Sequence, residues 1–139
     1  MVDYELIDHT ADIGIKVKGK NLKSLFINSA KAMFDLIAQK PKSSKGLKKA
    51  IVKIDIAATG REELLVRWLS ELLSLSDSKD LFFVDFKINE MTNTSLKGKV
   101  AGVLRRYFMG KREVKAVTYH GLAIRHKENC CQAEVIFDV

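Results

Sequence analysis

Asp8-His9-Thr10-Ala11-Asp12 gathers carboxylates, an imidazole and a hydroxyl into one short stretch. Hard oxygen donors of this kind, joined by main-chain carbonyls freed at a strand break, suit a divalent cation such as calcium, which takes oxygen ligands in flexible geometry. Asp and Thr at a turn also bond nearby backbone groups, and spacing alone favours that ordinary use. At the other end, Glu134-Val135-Ile136-Phe137-Asp138-Val139 finishes with a side-chain carboxylate followed by an α-carboxylate. Two anions held together call for a cation or a proton. A frayed terminus with solvated charges needs neither, and periodicity does not choose between the two.

Other residues offer less. His120 sits in Lys115-Ala116-Val117-Thr118-Tyr119-His120-Gly121, an alternating segment with no visible catalytic partner. A lone strand histidine of this sort is ordinarily a hydrogen-bonded structural residue. Cys130 and Cys131 are adjacent, so a strand turns them to opposite faces. A disulfide between them would be strained, and no further soft ligand completes zinc-site spacing. They read as reduced, partly buried structural thiols, in keeping with a reducing compartment. There is no Gly-x-Ser-x-Gly elbow, dinucleotide fingerprint or P-loop.

The elements that must position these residues follow from periodicity. Tyr4 to Asp8 reads as extended. Ile13, Ile15 and Val17 then alternate with Asp12, Gly14 and Lys16, so Asp12 starts a half-buried strand in the phase opposite its apolar face. Asn21 is a candidate N-cap for a helix carrying Leu22, Leu25, Phe26, Ala30, Met33, Phe34 and Ile37 on one stripe. Pro41 stops that helix, and Lys42-Ser43-Ser44-Lys45-Gly46 reads as a mobile surface loop. Ala50, Val52, Ile54 and Ile56 form the next alternating strand. Thr59 and Glu62 match a capping box before a helix with Leu64, Leu65, Trp68, Leu69, Leu72 and Leu73 on its apolar face; Trp68 there reads as core.

The last third is rich in strands: Phe82 to Ile88, Ser95 to Arg106, Val114 to His120, Leu122 to Lys127, and a final strand whose apolar set is Cys131, Ala133, Val135 and Phe137. Lys127-Glu128-Asn129 reads as a hairpin turn. The expected architecture is α+β. Two amphipathic helices pack on one face of a mainly antiparallel (mixed) sheet of six or more strands, in a single domain over residues 1–139.

A chain of 139 residues is long enough to bury a core. Its 47% hydrophobic and 29% charged residues are ordinary for a globular protein. No apolar run approaches the ~20 residues that span a bilayer, and the first residues lack a secretory pattern, so a cytoplasmic protein without membrane contact is expected. The net charge of +7 favours polyanions or acidic partners. The basic residues are scattered, however, at Lys40 to Lys49, Arg105-Arg106 and Lys111-Arg112, and no RNP-like motif accompanies them.

Taken together, several segments resemble the archease family across the whole chain. Asp8-His9-Thr10-Ala11-Asp12-Ile13-Gly14 is similar to its N-terminal signature, and Leu64 to Leu73 to its second-helix motif. Lys115 to Leu122 is similar to its third motif, and Phe137-Asp138-Val139 to its ending. Arg67 stands where many members carry an acidic residue, and Gly121 where Asp is frequent. The resemblance implies a non-enzymatic activator of an RtcB-type RNA ligase in tRNA splicing. Such an activator promotes guanylylation of the ligase histidine and multiple turnover. The resemblance also implies a metal site, usually described with calcium, at Asp12, Asp138 and Val139, and makes Lys115 the candidate ligase contact. Any contact with tRNA is expected to be weak or indirect. A basic RNA-binding module and a chaperone-like module are the competing classes.

Overall fold

The structure, a computed structural model, describes residues 3–8, 12–41, 46–119 and 122–139. His9, Thr10, Ala11, most of the Lys42–Gly46 loop, His120 and Gly121 lie outside the described residues.

The strands are β1 (Tyr4–Asp8), β2 (Asp12–Gly19), β3 (Ala38–Gln39), β4 (Ala50–Ala57), β5 (Leu81–Met91), β6 (Ser95–Leu104), β7 (Met109–Gly110), β8 (Ala116–Thr118), β9 (Ile124–Lys127) and β10 (Cys130–Asp138). The helices are α1 (Leu22–Ile37) and α2 (Arg61–Lys79). The expectation of one mixed sheet with six or more strands is corrected. Among the described residues the strands divide into sheets of five, three and two, and every pairing is antiparallel. The five-stranded sheet runs β1-β2-β10-β8, with β9 also on β10; the three-stranded sheet runs β4-β6-β5. The helices are the reason the sheets stay apart. α1 packs on β2 and β10 of one sheet and on β5 of the other, while α2 packs on β4, β5 and β8. Each sheet thus turns one face to a shared helical filling, which leaves no room for a single continuous layer.

Local sequence explains most element ends. Asn21 caps α1, its Oδ1 accepting from the Ser24 backbone N–H at 2.9 Å. The stop at Pro41 is corrected: α1 ends at Ile37, because Ala38 turns extended and pairs with Gly110. The capping box is also shifted by one residue. Gly60 is the N-cap of α2, and it is Glu63, not Glu62, that reaches back to the Thr59 hydroxyl and N–H. Glu62 instead accepts the Ile124 N–H at 3.2 Å, tying α2 to β9. The strand expected over Val114 to His120 is regular only at Ala116–Thr118 among the described residues.

The core joins α1 and α2 to the five-stranded and three-stranded sheets. Leu25, Phe26, Phe34, Trp68, Phe83, Val135 and Phe137 are at most 1% exposed. Trp68 is core as expected, and its indole N–H donates to the Phe26 carbonyl at 2.9 Å. Cys131, Ala133, Val135 and Phe137 are all buried, as the final strand's alternation requires.

β1 is latched to α1 by the Tyr4 hydroxyl, which donates to Asp35 Oδ2 at 2.5 Å. Burial, followed by the hydrogen bond to Asp35 and its negative charge, pushes the Tyr4 phenol up to about 12. The folded state therefore favours the protonated phenol. That contribution is complete below pH ~10 and disappears as pH rises toward 12. In an absorbance titration of the phenolates, one of the three tyrosines should ionise last, and Tyr4→Phe should remove that late step. Uniform ionisation near pH 10 in the folded chain would overturn the assignment.

Candidate metal-binding edge

β2 and β10 are neighbours in the five-stranded sheet, and their register decides where the two aspartates go. Phe137 lies opposite Ile13, Val135 opposite Ile15 and Ala133 opposite Val17, so the apolar phases of both strands face the core together. The alternate phase then aligns as well. Asp138 lies directly opposite Asp12, and Glu134 opposite Lys16. Lys16 Nζ and Glu134 Oε1 are 3.7 Å apart, an exposed pair that closes its position in the ladder. Among the described residues, Asp12 and Asp138 have no such complement.

Directly opposite side chains in an antiparallel pair have Cβ atoms about 4.5–5.5 Å apart, and like charges there repel. Both aspartates are half-buried. Among the described residues, neither carboxylate has an ion pair or a side-chain hydrogen bond. On the far side of β10, Ala116 of β8 is opposite Asp138, and the Lys115 N–H donates to the Asp138 carbonyl at 2.8 Å. Lys115 is exposed at this same end of the sheet. Val139 is half-buried and packs against the core, which anchors its main chain next to Asp138. The structure therefore brings Asp12, Asp138, Val139 and Lys115 to one edge. Asp8 ends β1 one strand away, its backbone paired with Ile13.

The donor chemistry of this edge fits a hard cation: among the described residues it offers two facing carboxylates and adjacent main-chain oxygens. Among the described residues there is no group of three or more His, Cys, Asp or Glu side chains placed to hold a metal. A cation here would therefore depend on main-chain oxygens to complete its shell. Grooves of about 740 Å³, lined by residues such as Tyr4, Lys18 and Asn28, and of about 500 Å³, lined by residues such as Phe82, Arg105 and Phe108, include neither aspartate.

The remaining sequence candidates resolve into structural roles. Cys130 and Cys131 are free, the first half-buried and the second buried, and burial pushes the Cys131 thiol up from its ordinary range. Arg67 holds Glu63 on the surface of α2 at 3.2 Å. Periodicity also missed a cross-link at His126. The Arg61 guanidinium donates to the Ile124 carbonyl at 3.0 Å and contacts His126 Nε2, while His126 Nδ1 lies 3.4 Å from Cys131 Sγ. Alternation puts His126 on β9 but carries no information about the start of α2 packing onto it.

The sequence comparisons agree with this arrangement of elements. The model of the archease protein family (MTH1598/TM1083) matches residues 4–139. The archease of Sulfurisphaera tokodaii is 35% identical over 144 residues, covering 100% of each chain. The solution structure of Methanobacterium thermoautotrophicum protein 1598 superposes with a TM-score of 0.74 at 31% identity, covering 98% of both chains. A crystal structure from Thermotoga maritima, described as an archease and possible chaperone, has a TM-score of 0.69 at 22% identity. It covers 96% of this chain and 94% of its own, and its likeness is one of fold.

Proposed function

The chain belongs to the archease family, and on that premise we propose that it promotes guanylylation of its partner ligase through a cation-holding edge. Archeases are non-catalytic activators of RtcB-type RNA ligases, and this protein shares that general role. The proposal concerns the means. Asp12, Asp138 and the oxygens of Val139 would hold the cation, with calcium the first candidate, and magnesium and manganese also suited to oxygen donors. When bound, the cation supplies positive charge between carboxylates that otherwise repel. The chain's own residues do the rest: β10 carries Asp138 between β2 and β8, Val139 packs the end of the strand onto the core, and Lys115, exposed at the same end of the sheet, would contact the ligase.

One observation carries the reading. Two half-buried aspartates from distant parts of the sequence stand directly opposite each other, and among the described residues neither has a counter-charge. A pair of like-charged side chains at the end of a sheet suits docking beside another protein's active site better than binding a substrate of its own. In the cell we place this activity in the cytoplasm.

The test is formation of the covalent ligase–guanylate adduct from labelled GTP, with and without this protein, at sub-stoichiometric and equimolar ratios. The expected result is faster adduct formation and more than one ligation per ligase only when the protein is present, with chelator removing the effect. Equal adduct formation in both arms would overturn the guanylylation role. Stimulation that survives chelation would overturn the cation.

A further inference from the structure

The register of the three-stranded sheet places like charges together in a way the metal edge does not involve. Lys53 of β4 lies opposite Lys99 of β6, and Lys99 lies opposite Lys87 of β5. All three are exposed and occupy one continuous row across the sheet's outer face. With strands about 4.8 Å apart, the row spans about 10 Å. Like charges directly opposite one another oppose strand pairing. Among the described residues none of the three lysines has a carboxylate partner.

The neighbouring rows are built differently. On one side Lys97 lies between Asp55 and Glu90. On the other, Ile51 and Asp85 flank Ala101, and Asp85 is paired with Lys49 at 2.7 Å. A face serving solubility alone intersperses signs, as the Asp55-Lys97-Glu90 row and the Lys49–Asp85 pair do. The middle row departs from that pattern, and the acidic groups beside it confine an anionic ligand to a narrow track.

We propose that the Lys53-Lys99-Lys87 row binds the phosphate backbone of double-helical RNA. Lysine is a point-charge donor suited to phosphate oxygens, and such contacts position a nucleic acid without reading its sequence. An acidic protein surface fits less well. Protein interface cores are depleted in lysine and are anchored by aromatic residues or arginine. The shallow groove beside Lys87 and Lys99 is lined by Ile51 and by half-buried Phe86, whose ring packs inward, and β4, β5 and β6 carry no arginine. Unpaired bases fit less well too, because they stack on aromatic side chains. The aromatic residues of β5 turn inward instead: Phe82, Phe83 and Phe86 pack on Phe34, and Phe86 also packs on Trp68. The charge of the row selects a phosphate backbone, and the choice of RNA over DNA rests on the RNA-ligase reading; because the test contains no ligase, the two can fail separately.

The experiment is fluorescence anisotropy with a labelled RNA hairpin, from about 50 to 200 mM salt. The native chain is compared with Lys53→Gln/Lys87→Gln/Lys99→Gln and with a control of equal net charge, Lys20→Gln/Lys23→Gln/Lys31→Gln. The row variant should bind about 10-fold or more weaker at low salt, with a salt dependence shallower by about two to three powers. The control should stay within about 3-fold of the native chain. Melting by circular dichroism verifies folding, and the row variant should melt at or above the native temperature because repulsion is relieved. Equal losses in both variants would reduce the effect to net charge and overturn the proposal. So would undetectable RNA binding by the native chain, or a row-dependent preference for a polyglutamate probe over RNA, which would reassign the face to an acidic protein.

Discussion

Asp12→Ala and Asp138→Ala are each expected to return guanylylation of the partner ligase to the level that the ligase reaches alone, while the chain stays folded. Each substitution removes one of two carboxylates that face each other across β2 and β10. Loss of even an outer-shell partner weakens metal sites by roughly 10–100-fold, so losing a direct carboxylate ligand should cost at least about that upper figure. The free chain should respond in the opposite direction. Removing one of two like charges in a cross-strand pair stabilises by roughly 0.2–1 kcal/mol, and Asp12→Asn does so with almost no change in volume. The native chain should therefore melt higher on addition of calcium, whereas Asp12→Asn should melt at its own, slightly raised temperature with or without it. Lys115→Ala separates docking from metal binding: it should weaken the ligase complex and leave the calcium-dependent melting shift intact. An Asp12 whose role is only to shape the strand start gives a different pattern, with stimulation falling only in proportion to lost folding. Full stimulation by either alanine variant would sink the cation-edge mechanism.

What could be read from the sequence was the phase of each strand, and what could not was its partner. Ile13, Ile15 and Val17 place Asp12 on the outward phase, and Val135 and Phe137 do the same for Asp138, because alternation is a local consequence of the pleat. That the two residues meet is a property of the β2–β10 register, a pairing between opposite ends of the chain that no local pattern encodes. The same limit explains the sheet count. β5 reads as one alternating strand, yet its register shifts between Phe83 and Asp85 and again between Ile88 and Glu90, and it pairs within a sheet separate from β10. The row of Lys53, Lys99 and Lys87 was hidden for the same reason, since each lysine taken singly is an unremarkable surface residue. Errors at element ends have a different origin. Thr59 has Glu62 and Glu63 within reach, and the capping-box spacing selects the former. The contact from Glu62 to the Ile124 N–H, made through the tertiary fold, leaves Glu63 for the cap. Pro41 is a sound stop signal, but pairing of Ala38 with Gly110 ends α1 earlier.

Trp68→Ala is expected to destabilise the chain by about 3–5 kcal/mol, the range for removing a large aromatic side chain from a packed core. Trp68 is 0% exposed, packs edge-on against Phe86 with ring centroids 6.4 Å apart, and donates its indole N–H to the Phe26 carbonyl in α1. It thus joins both helices to β5. Trp68→Phe keeps a ring there and loses mainly the hydrogen bond and some volume, so about 1–2 kcal/mol is expected. Against a total stability of about 5–15 kcal/mol, the alanine variant should melt roughly 10–20 °C lower. Urea unfolding followed by far-UV circular dichroism measures this, since the only tryptophan, and with it the usual fluorescence probe, is removed. A loss below about 1 kcal/mol would mean that the site repacks and that Trp68 is not a keystone. The functional consequence separates this variant from those of the proposed cation-holding edge. α2 also supports β8, whose residue Ala116 lies opposite Asp138. Trp68→Ala should therefore stimulate the ligase at low temperature and fail as it melts, whereas Asp12→Ala should fail at every temperature.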